Sequence, residues 1–145
     1  MKDLDETDVA IVDVLKKNAR LSTREISKIS QIPPATVYKR MKRMEKEGVI
    51  EGYTVRLNQE KLGRKTVAYI LIRTNPGADY YDIHDEIIKN EGIEDIASLT
   101  GQFDTLVKVR VHDTDELSNV IFKIRNIPAV AHTETIISLN VKRKK

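Results

Sequence analysis

A double proline interrupts a helix-forming stretch and constrains this chain more than any other local feature. The segment LSTREISKISQIPPATVYKRMKRMEKEG carries Pro33 and Pro34 between two runs with helical apolar spacing. Proline has no amide hydrogen for a helix interior, but it suits the first helical position, where none is needed. The sequence therefore predicts a helix ending near Ser30, a tight turn through Gln31, and a new helix beginning at Pro34.

Two helices are predicted before this turn, each with a polar cap. Ser22 and Glu25 have the S-x-x-E spacing of a capping box, in which each side chain bonds to the other residue's backbone. In the first helix Asp5 is the predicted cap, and Asp8 follows three residues later. The apolar stripe predicted for that first helix consists of Val9, Ile11, Val12 and Leu15.

The third predicted helix separates its apolar residues from its basic ones. Val37, Met41 and Met44 fall on one face, and Gly48 ends the helix. About the opposite face lie basic and polar side chains: Thr36, Tyr38, Lys39, Arg40, Lys42, Arg43 and Lys46. A short helix, a tight turn and a longer basic helix form a helix-turn-helix, whose second helix enters the DNA major groove with its N-terminal end.

Position along this helix predicts which side chains contact which part of DNA. The residues near the helix start are assigned to base edges and the later ones to phosphates: Thr36, Tyr38 and Lys39, then Arg40, Lys42 and Arg43. The start of the second helix adds Ser22 and Thr23 to the predicted DNA-binding residues. The alternative is a solvated basic face on an ordinary three-helix bundle, because charged helix faces are common.

The charge distribution favours a polyanion as the partner of the first segment. The net charge is +3, but residues 1–62 carry 13 basic against 10 acidic side chains, and residues 63–141 carry 8 against 12. The tail 142–145, KRKK, is wholly basic and is either a solubilising end or a loose phosphate contact.

The second half of the chain has strand and helix signals in the order β-α-β-β-α-β. Asp79 and Asp113 are the predicted caps of its two helices. This order predicts an α+β ferredoxin-like sandwich, in which one four-stranded antiparallel sheet carries both helices on one face. The alternating segment Ile50–Leu57 is predicted to be a separate linking strand. The predicted domains are a winged-helix-like helix-turn-helix at 1–49, a linking strand and hinge at 50–64, and the sandwich at 65–145.

The first strand of the sandwich is apolar on both faces: Ala68, Ile70 and Ile72 alternate with Val67, Tyr69 and Leu71. Two helices cover only one face of a sheet, so the other face needs another subunit. We therefore predict a homodimer, whose two-fold axis also places two DNA-reading helices one duplex turn apart.

The stretch SLTGQFDTLVKV is predicted to be two strands joined by a short turn, with Gly101 and Asp104 at its ends. We expect the turn to join the two middle strands of the sheet and Phe103 to pack against a neighbouring dimer. A Gly-x-x-Asp turn is either ordinary hairpin chemistry or half of a binding site. In the second case Asp104 binds an ammonium, and backbone amides beside Gly101 bind a carboxylate.

Taken together, these segments resemble the Lrp/AsnC (feast/famine) family of prokaryotic transcriptional regulators. The resemblance rests on LDETDVAIVDVLKKNARLSTREIS, on TVYKRMKRMEKEGVIEGYTVRLNQEKLG, and on LTGQFDTLVKVRVHDTDEL. It implies binding to double-stranded DNA, a C-terminal RAM (ligand-sensing) domain, dimers assembling to octamers, and contact with the basal transcription machinery. It also implies that Ile50–Leu57 pairs with its two-fold mate. Pro33 departs from the serine usual in the family and removes a hydroxyl cap.

The resemblance implies a small amino-acid effector bound between dimers. The effector-binding residues that it indicates are in the turn and in the last strand: Leu99, Thr100, Gly101, Gln102, Phe103, Asp104, Thr133 and Thr135. The residues alone leave open whether the turn binds anything. No cofactor is expected.

Two other functions remain as alternatives. One is an enzyme resembling the sirohaem decarboxylases, which share this architecture; the other is a sensor without a DNA role. His84, His112 and His132 show no convergence toward a catalytic or metal site, and the absence of cysteine excludes disulfides and thiolate metal ligands. No apolar run approaches the roughly 20 residues of a membrane span, and the start MKDLDETD has no apolar signal core, so a cytoplasmic protein is expected.

Overall fold

The computed structural model describes residues 4–141 of the chain, so the basic tail 142–145 lies outside the described residues. Contacts between residues divide the chain after Leu57 into two compact units, called here the amino-terminal and carboxyl-terminal units. This division falls inside the segment 50–64 that was predicted to link two domains. No helix among residues 4–141 is both long and apolar enough to cross a membrane.

The amino-terminal unit contains helices α1 (Glu6–Lys17), α2 (Thr23–Ser30) and α3 (Pro34–Lys46). Both predicted capping boxes are present. Asp5 accepts a bond from the amide of Asp8, whose carboxylate accepts one from the amide of Asp5. Ser22 and Glu25 make the same reciprocal pair of bonds at the start of α2. Each box satisfies amides that have no partner inside the helix.

The turn between α2 and α3 takes the shape that the double proline predicts. Gln31 ends α2 in the left-handed conformation, with φ at 58°. That conformation is uncommon for a residue with a side chain, and it reverses the chain at a helix end. Pro34 occupies the first turn of α3, and Pro33 before it makes no side-chain cap bond. Helix α3 therefore begins without a hydroxyl cap, as the departure from the family pattern predicts.

The core of the amino-terminal unit is a single apolar cluster formed by Ile11, Val14, Leu15, Ile26, Val37 and Met44. The prediction that Val9 belongs to the buried stripe of α1 was wrong, because Val9 is 46% exposed. The buried line of α1 runs through Asp8, Ile11 and Leu15 at three- and four-residue spacing. Val9 lies about 100° around the helix from Asp8 and so faces away from that line.

The segment 50–57 is not a strand in the structure, which corrects the prediction for Ile50–Leu57. Residues 51–57 are exposed, and no described segment pairs with their backbone. An alternating sequence becomes a strand only when a second strand supplies the ladder of hydrogen bonds. Within one chain that second strand is absent from residues 4–141, so the pattern alone does not produce a strand.

The carboxyl-terminal unit has the predicted order of elements. They are β1 (Thr66–Thr74), α4 (Tyr80–Ile87), β2 (Ile93–Ser98), β3 (Thr105–Val111), α5 (Thr114–Arg125) and β4 (Val130–Ser138). The strands form an antiparallel sheet in the order β2-β3-β1-β4. The ferredoxin-like prediction is confirmed. The turn after β2, however, joins an edge strand to a middle strand rather than joining the two middle strands.

Helices α4 and α5 cover one face of the sheet. Their contacts with it form a cluster that includes Ile70, Ile72, Val107, Val109, Ile87 and Ile124, all fully buried. Gly92 lets the chain pass close to β3 on its way into β2. A Cβ atom at Gly92 would lie 2.9 Å from Val111 Cγ1 and 3.1 Å from the Arg110 carbonyl oxygen, and φ is +86°. Both the space and the conformation therefore require glycine.

The other face of the sheet, called here the open face, is covered by no described element. Its apolar residues lie side by side: Tyr69 pairs with Ile136, and Leu71 pairs with Leu106. Tyr69, Leu71 and Leu106 are half-buried, and Ile136 is 49% exposed. The open face is therefore apolar, as the alternation in β1 predicts.

A cluster of charged residues borders these apolar residues. The Glu94 carboxylate accepts from Lys108 Nζ at 2.8 Å and from Arg110 Nε at 2.5 Å. Burial raises the pKa of Glu94, but the bonds from Lys108 and Arg110 outweigh burial and hold the pKa below its ordinary value. Glu94 is therefore an anion at neutral pH that fixes two cations on the open face.

Candidate DNA-binding surface and effector site

Helix α3 presents its N-terminal half to solvent, where the helix-turn-helix prediction places base contacts. Tyr38 is 58% exposed, Lys39 is exposed and Thr36 is half-buried. A groove of about 570 Å³ runs along this surface and is lined by Ala35, Thr36, Lys39, Arg40 and Arg43. The side chains assigned to base edges are thus available to a partner outside the chain.

Two arginines predicted to bind phosphates are held by carboxylates of the same unit. Arg40 Nη1 lies 2.5 Å from Asp5 Oδ2 and 3.3 Å from Asp8 Oδ1. Arg43 Nη2 donates to Asp8 Oδ2. Asp8 is fully buried, and the two arginine side chains are about a quarter exposed. The sequence pattern did not reveal this arrangement, in which Asp5 and Asp8 attach α3 to the start of α1.

The contacts of Asp5 stabilise its charged form. The bond from the Asp8 amide, followed by the bond from Arg40, lowers the pKa of Asp5 below its ordinary value of 3.8. Arg40 in turn has a raised pKa, chiefly because of its bond to Asp5. Both groups are charged at neutral pH. Arg40 is thus engaged by a carboxylate when no DNA is present.

The remaining predicted phosphate contact, Lys42, also has a partner within its own unit. Its Nζ lies 2.7 Å from Glu45 Oε2, and the Tyr53 hydroxyl donates to Glu45 Oε1 at 3.1 Å. The bond to Glu45 raises the pKa of Lys42. Among the residues the structure describes, Lys39 makes no ion pair. Of the four cations of α3 predicted to contact DNA, Lys39, Arg40, Lys42 and Arg43, Lys39 is therefore the one that needs to lose no described carboxylate partner first.

Ser22 and Thr23 lie at the start of α2, as predicted. The Ser22 hydroxyl and amide both bond to Glu25 Oε2 at 2.7 Å, so this residue already serves as the helix cap. These bonds lower the pKa of Glu25, the side-chain bond most of all. Thr23 is half-buried. Of the two residues, Ser22 has the clearer role within the fold.

The turn between β2 and β3 is held by bonds inside the carboxyl-terminal unit. The Leu99 amide donates to the Asp104 carbonyl at 2.7 Å, and the Asp104 amide donates to the Ile72 carbonyl at 2.9 Å. Asp104 Oδ2 accepts from the amide of Thr74 at 2.7 Å and from its hydroxyl at 3.1 Å. One carboxylate oxygen thus joins the turn to the end of β1. Oδ1 has no partner among residues 4–141.

The tip of the turn is open to solvent. Thr100, Gly101 and Gln102 are exposed, and Gly101 has φ at 116° with no atom near its missing Cβ. The ring of Phe103 stacks on the ring of His132 at the start of β4, with centroids 6.5 Å apart. Phe103 therefore has a packing partner within its own chain, which the sequence did not indicate.

Thr133 and Thr135 do not join the turn in one pocket within the chain. Thr133 pairs with Ile72, which pairs with Thr105 at the end of the turn, so about 10 Å and a whole strand separate them. Thr133 is buried, and its hydroxyl accepts from Arg125 Nε at 2.9 Å. Arg125, at the end of α5, was absent from the predicted site. Its position beside β4 appears only when the chain is folded.

These geometries agree with comparisons made against known proteins. Residues 4–51 match the family described as winged helix-turn-helix DNA-binding, and residues 67–145 match the Lrp/AsnC ligand-binding domain. A DNA-binding unit followed by an effector-binding domain defines a DNA-binding transcriptional regulator. The chain belongs to the Lrp/AsnC family.

Individual relatives cover nearly the whole chain. The HTH-type transcriptional regulator FL11 of Pyrococcus furiosus is 34% identical over 141 residues, covering 97% of this chain and 93% of its own. The regulator LysM of Sulfurisphaera tokodaii is 35% identical over 141 residues, covering 97% and 99%. The solved structure of Escherichia coli AsnC is 26% identical with a TM-score of 0.89, covering 99% and 97%. These relatives are regulators, so the enzyme alternative finds no support.

Proposed function

We propose that this regulator reads a specific DNA sequence through the exposed start of α3. The main support is that side chains along this helix differ in exposure and in ion pairing. Tyr38 and Lys39 are exposed and Thr36 is half-buried, whereas Arg40 and Arg43 are bound to Asp5 and Asp8. Free side chains at the helix start suit base edges. The paired arginines hold α3 in position, and we assign them to DNA phosphates rather than to base edges.

The active form is proposed to be a homodimer that buries the open face against a second copy. Tyr69, Leu71, Leu106 and Ile136 together supply a continuous apolar area on that face. An apolar sheet face without a covering layer favours association. In the dimer the segment 50–57 gains the partner strand that it lacks in one chain. Such dimers are proposed to assemble further, up to octamers.

A small amino acid is proposed to regulate this assembly, as fits the Lrp/AsnC ligand-binding domain. A transcriptional regulator of Neisseria meningitidis solved in complex with L-Met has this fold, with 24% identity and a TM-score of 0.89. Asp104 Oδ1 in the turn is available to an ammonium. Because the turn and the threonines Thr133 and Thr135 lie a strand apart in one chain, the effector is proposed to bridge the turn of one copy and the threonines of another. Binding then biases how dimers pack and how their α3 helices are spaced.

Selection of genomic fragments by the full-length protein, followed by footprinting, tests this proposal. We expect protected half-sites spaced by about one duplex turn, as two-fold symmetry demands. The experiment is repeated with a panel of amino acids, one of which is expected to change the footprint or the oligomer size. Uniform protection of all fragments, without a preferred sequence, would contradict specific reading.

A further inference from the structure

Arg125 is a cation fixed in place without a carboxylate partner. Its Nε donates to Thr133 Oγ1 at 2.9 Å, which orients the guanidinium plane. Among residues 4–141 it forms no ion pair. An oriented guanidinium with free Nη groups presents the fork that matches a carboxylate.

A second polar group, one without a hydrogen-bond partner, lines the same cavity as Arg125. Thr135 Oγ1 is buried and has no hydrogen-bond partner in the chain. It lines a cavity of about 470 Å³ whose other walls are Ser118, Ile121, Phe122 and Arg125. Because buried hydroxyls are nearly always bonded, this one indicates a missing acceptor or donor. The free guanidinium and the free hydroxyl lie in one cavity.

The remaining wall of the cavity is apolar and exposed. Phe122 is 66% exposed, and Ile121 beside it is half-buried. Solvent-exposed apolar side chains next to a fixed cation suit a ligand that has a charged end and an apolar body. Ile121 also packs against the sheet core, whereas Phe122 is not among the residues of that core.

We infer that Arg125 binds the carboxylate of an amino acid with an apolar side chain, that Thr135 supplies a second donor, and that Ile121 and Phe122 contact the side chain. This inference rests on the proposed sensing function and assigns the carboxylate to α5 and β4 rather than to the turn amides. Two amides of the turn, those of Leu99 and Asp104, are already bonded within the chain. Asp104 Oδ1, which has no partner among the described residues, is assigned to the ammonium end.

The test is isothermal titration of the full-length protein with L-leucine, L-methionine and L-phenylalanine. Isopentylamine, which lacks the carboxylate, L-alanine, which lacks the apolar body, and inorganic phosphate complete the panel. We expect at least one apolar amino acid to bind and the other three compounds not to bind. Arg125→Ala is expected to weaken that binding at least about tenfold, and Thr135→Val severalfold.

Lys123→Ala is the matched control, because Lys123 is an exposed cation on the same turn of α5 but does not line the cavity. It is expected to change affinity less than about twofold. Binding that survives Arg125→Ala but is lost in Asp104→Ala would overturn the assignment and leave the sensing function intact. Equal binding of phosphate would also overturn it. If no amino acid binds the wild-type protein, both the assignment and the sensing function fail, while DNA binding is unaffected.

Discussion

At the scale of single residues, Asp8 connects the fold of the amino-terminal unit to its DNA-binding surface. It is fully buried, it completes the capping box of α1 by accepting from the Asp5 amide, and it bonds to both Arg40 and Arg43. A buried carboxylate between two guanidinium groups is stable only while all the partners remain. Asp8 therefore acts with Asp5 and the apolar core in holding α3 on α1.

Asp8→Ala is expected to destabilise the amino-terminal unit by about 3–5 kcal/mol, because two partly buried cations lose their shared anion. Urea unfolding of the full-length protein followed by circular dichroism measures the change. Asp13→Ala is the control, since Asp13 is an exposed carboxylate of the same helix that pairs, within residues 4–141, with Lys16 alone, at 3.7 Å. A loss for Asp8→Ala no larger than that for Asp13→Ala would contradict the anchoring function.

Asp5 is expected to compete with DNA phosphates for Arg40. Asp5→Asn removes the charge that lies 2.5 Å from Arg40 Nη1, so the arginine keeps its 3.3 Å bonds to Asp8 but becomes more available to a phosphate. We expect the slope of log affinity against log salt concentration, measured on random duplex DNA, to steepen by about 0.9. Asp13→Asn changes the net charge equally and should leave the slope nearly unchanged. An equal slope for both variants would show that Arg40 does not contact phosphate.

At the scale of elements, the sequence best predicted the features that depend on residues close together in the chain. The capping boxes of α1 and α2 and the start of α3 at Pro34 are local, and the structure has each of them. The segment 50–57 was mispredicted because a strand depends on a partner that its own residues do not specify. Arg125 was missed for a related reason. A single arginine at a helix end can be recognised as part of a site only when the folded structure shows β4 beside it.

The capping box of α2 should make the stability of that helix depend on pH. Bonds from Ser22 lower the pKa of Glu25 below its ordinary value of 4.5. A carboxyl with a lower pKa in the folded state stabilises the fold above the unfolded pKa, and that stability is lost as the pH falls through the folded pKa. Melting temperatures between about pH 6 and pH 3 should therefore fall less steeply for Glu25→Gln than for wild type. Parallel curves of melting temperature against pH for the two proteins would contradict this role of Glu25.

At the scale of the whole molecule, the proposed assembly depends on the open face of the sheet. The ferredoxin-like order was predictable from the alternation of strand and helix signals, and the apolar character of both faces of β1 was readable from its residues. The sequence did not show what covers the open face, because an uncovered apolar surface does not by itself identify its partner.

Leu71→Asp tests whether the open face forms the dimer. Leu71 pairs with Leu106 on that face, so a carboxylate there would be buried without a partner in the dimer. Sedimentation velocity is expected to show a shift toward monomer. Tyr81→Asp is the control, because Tyr81 is 82% exposed on α4 and lies away from the sheet. An unchanged dimer for Leu71→Asp would place the interface elsewhere.

The most direct test of the central claim is the affinity of Lys39→Ala and Lys46→Ala for the selected operator. Both lysines are exposed on α3, but Lys39 lies near its start and Lys46 is its last residue. If the start of α3 reads DNA, Lys39→Ala should weaken operator binding between about fivefold and a hundredfold, and Lys46→Ala less than about twofold. Equal effects of the two substitutions, or none from Lys39→Ala, would contradict DNA reading by this end of the helix.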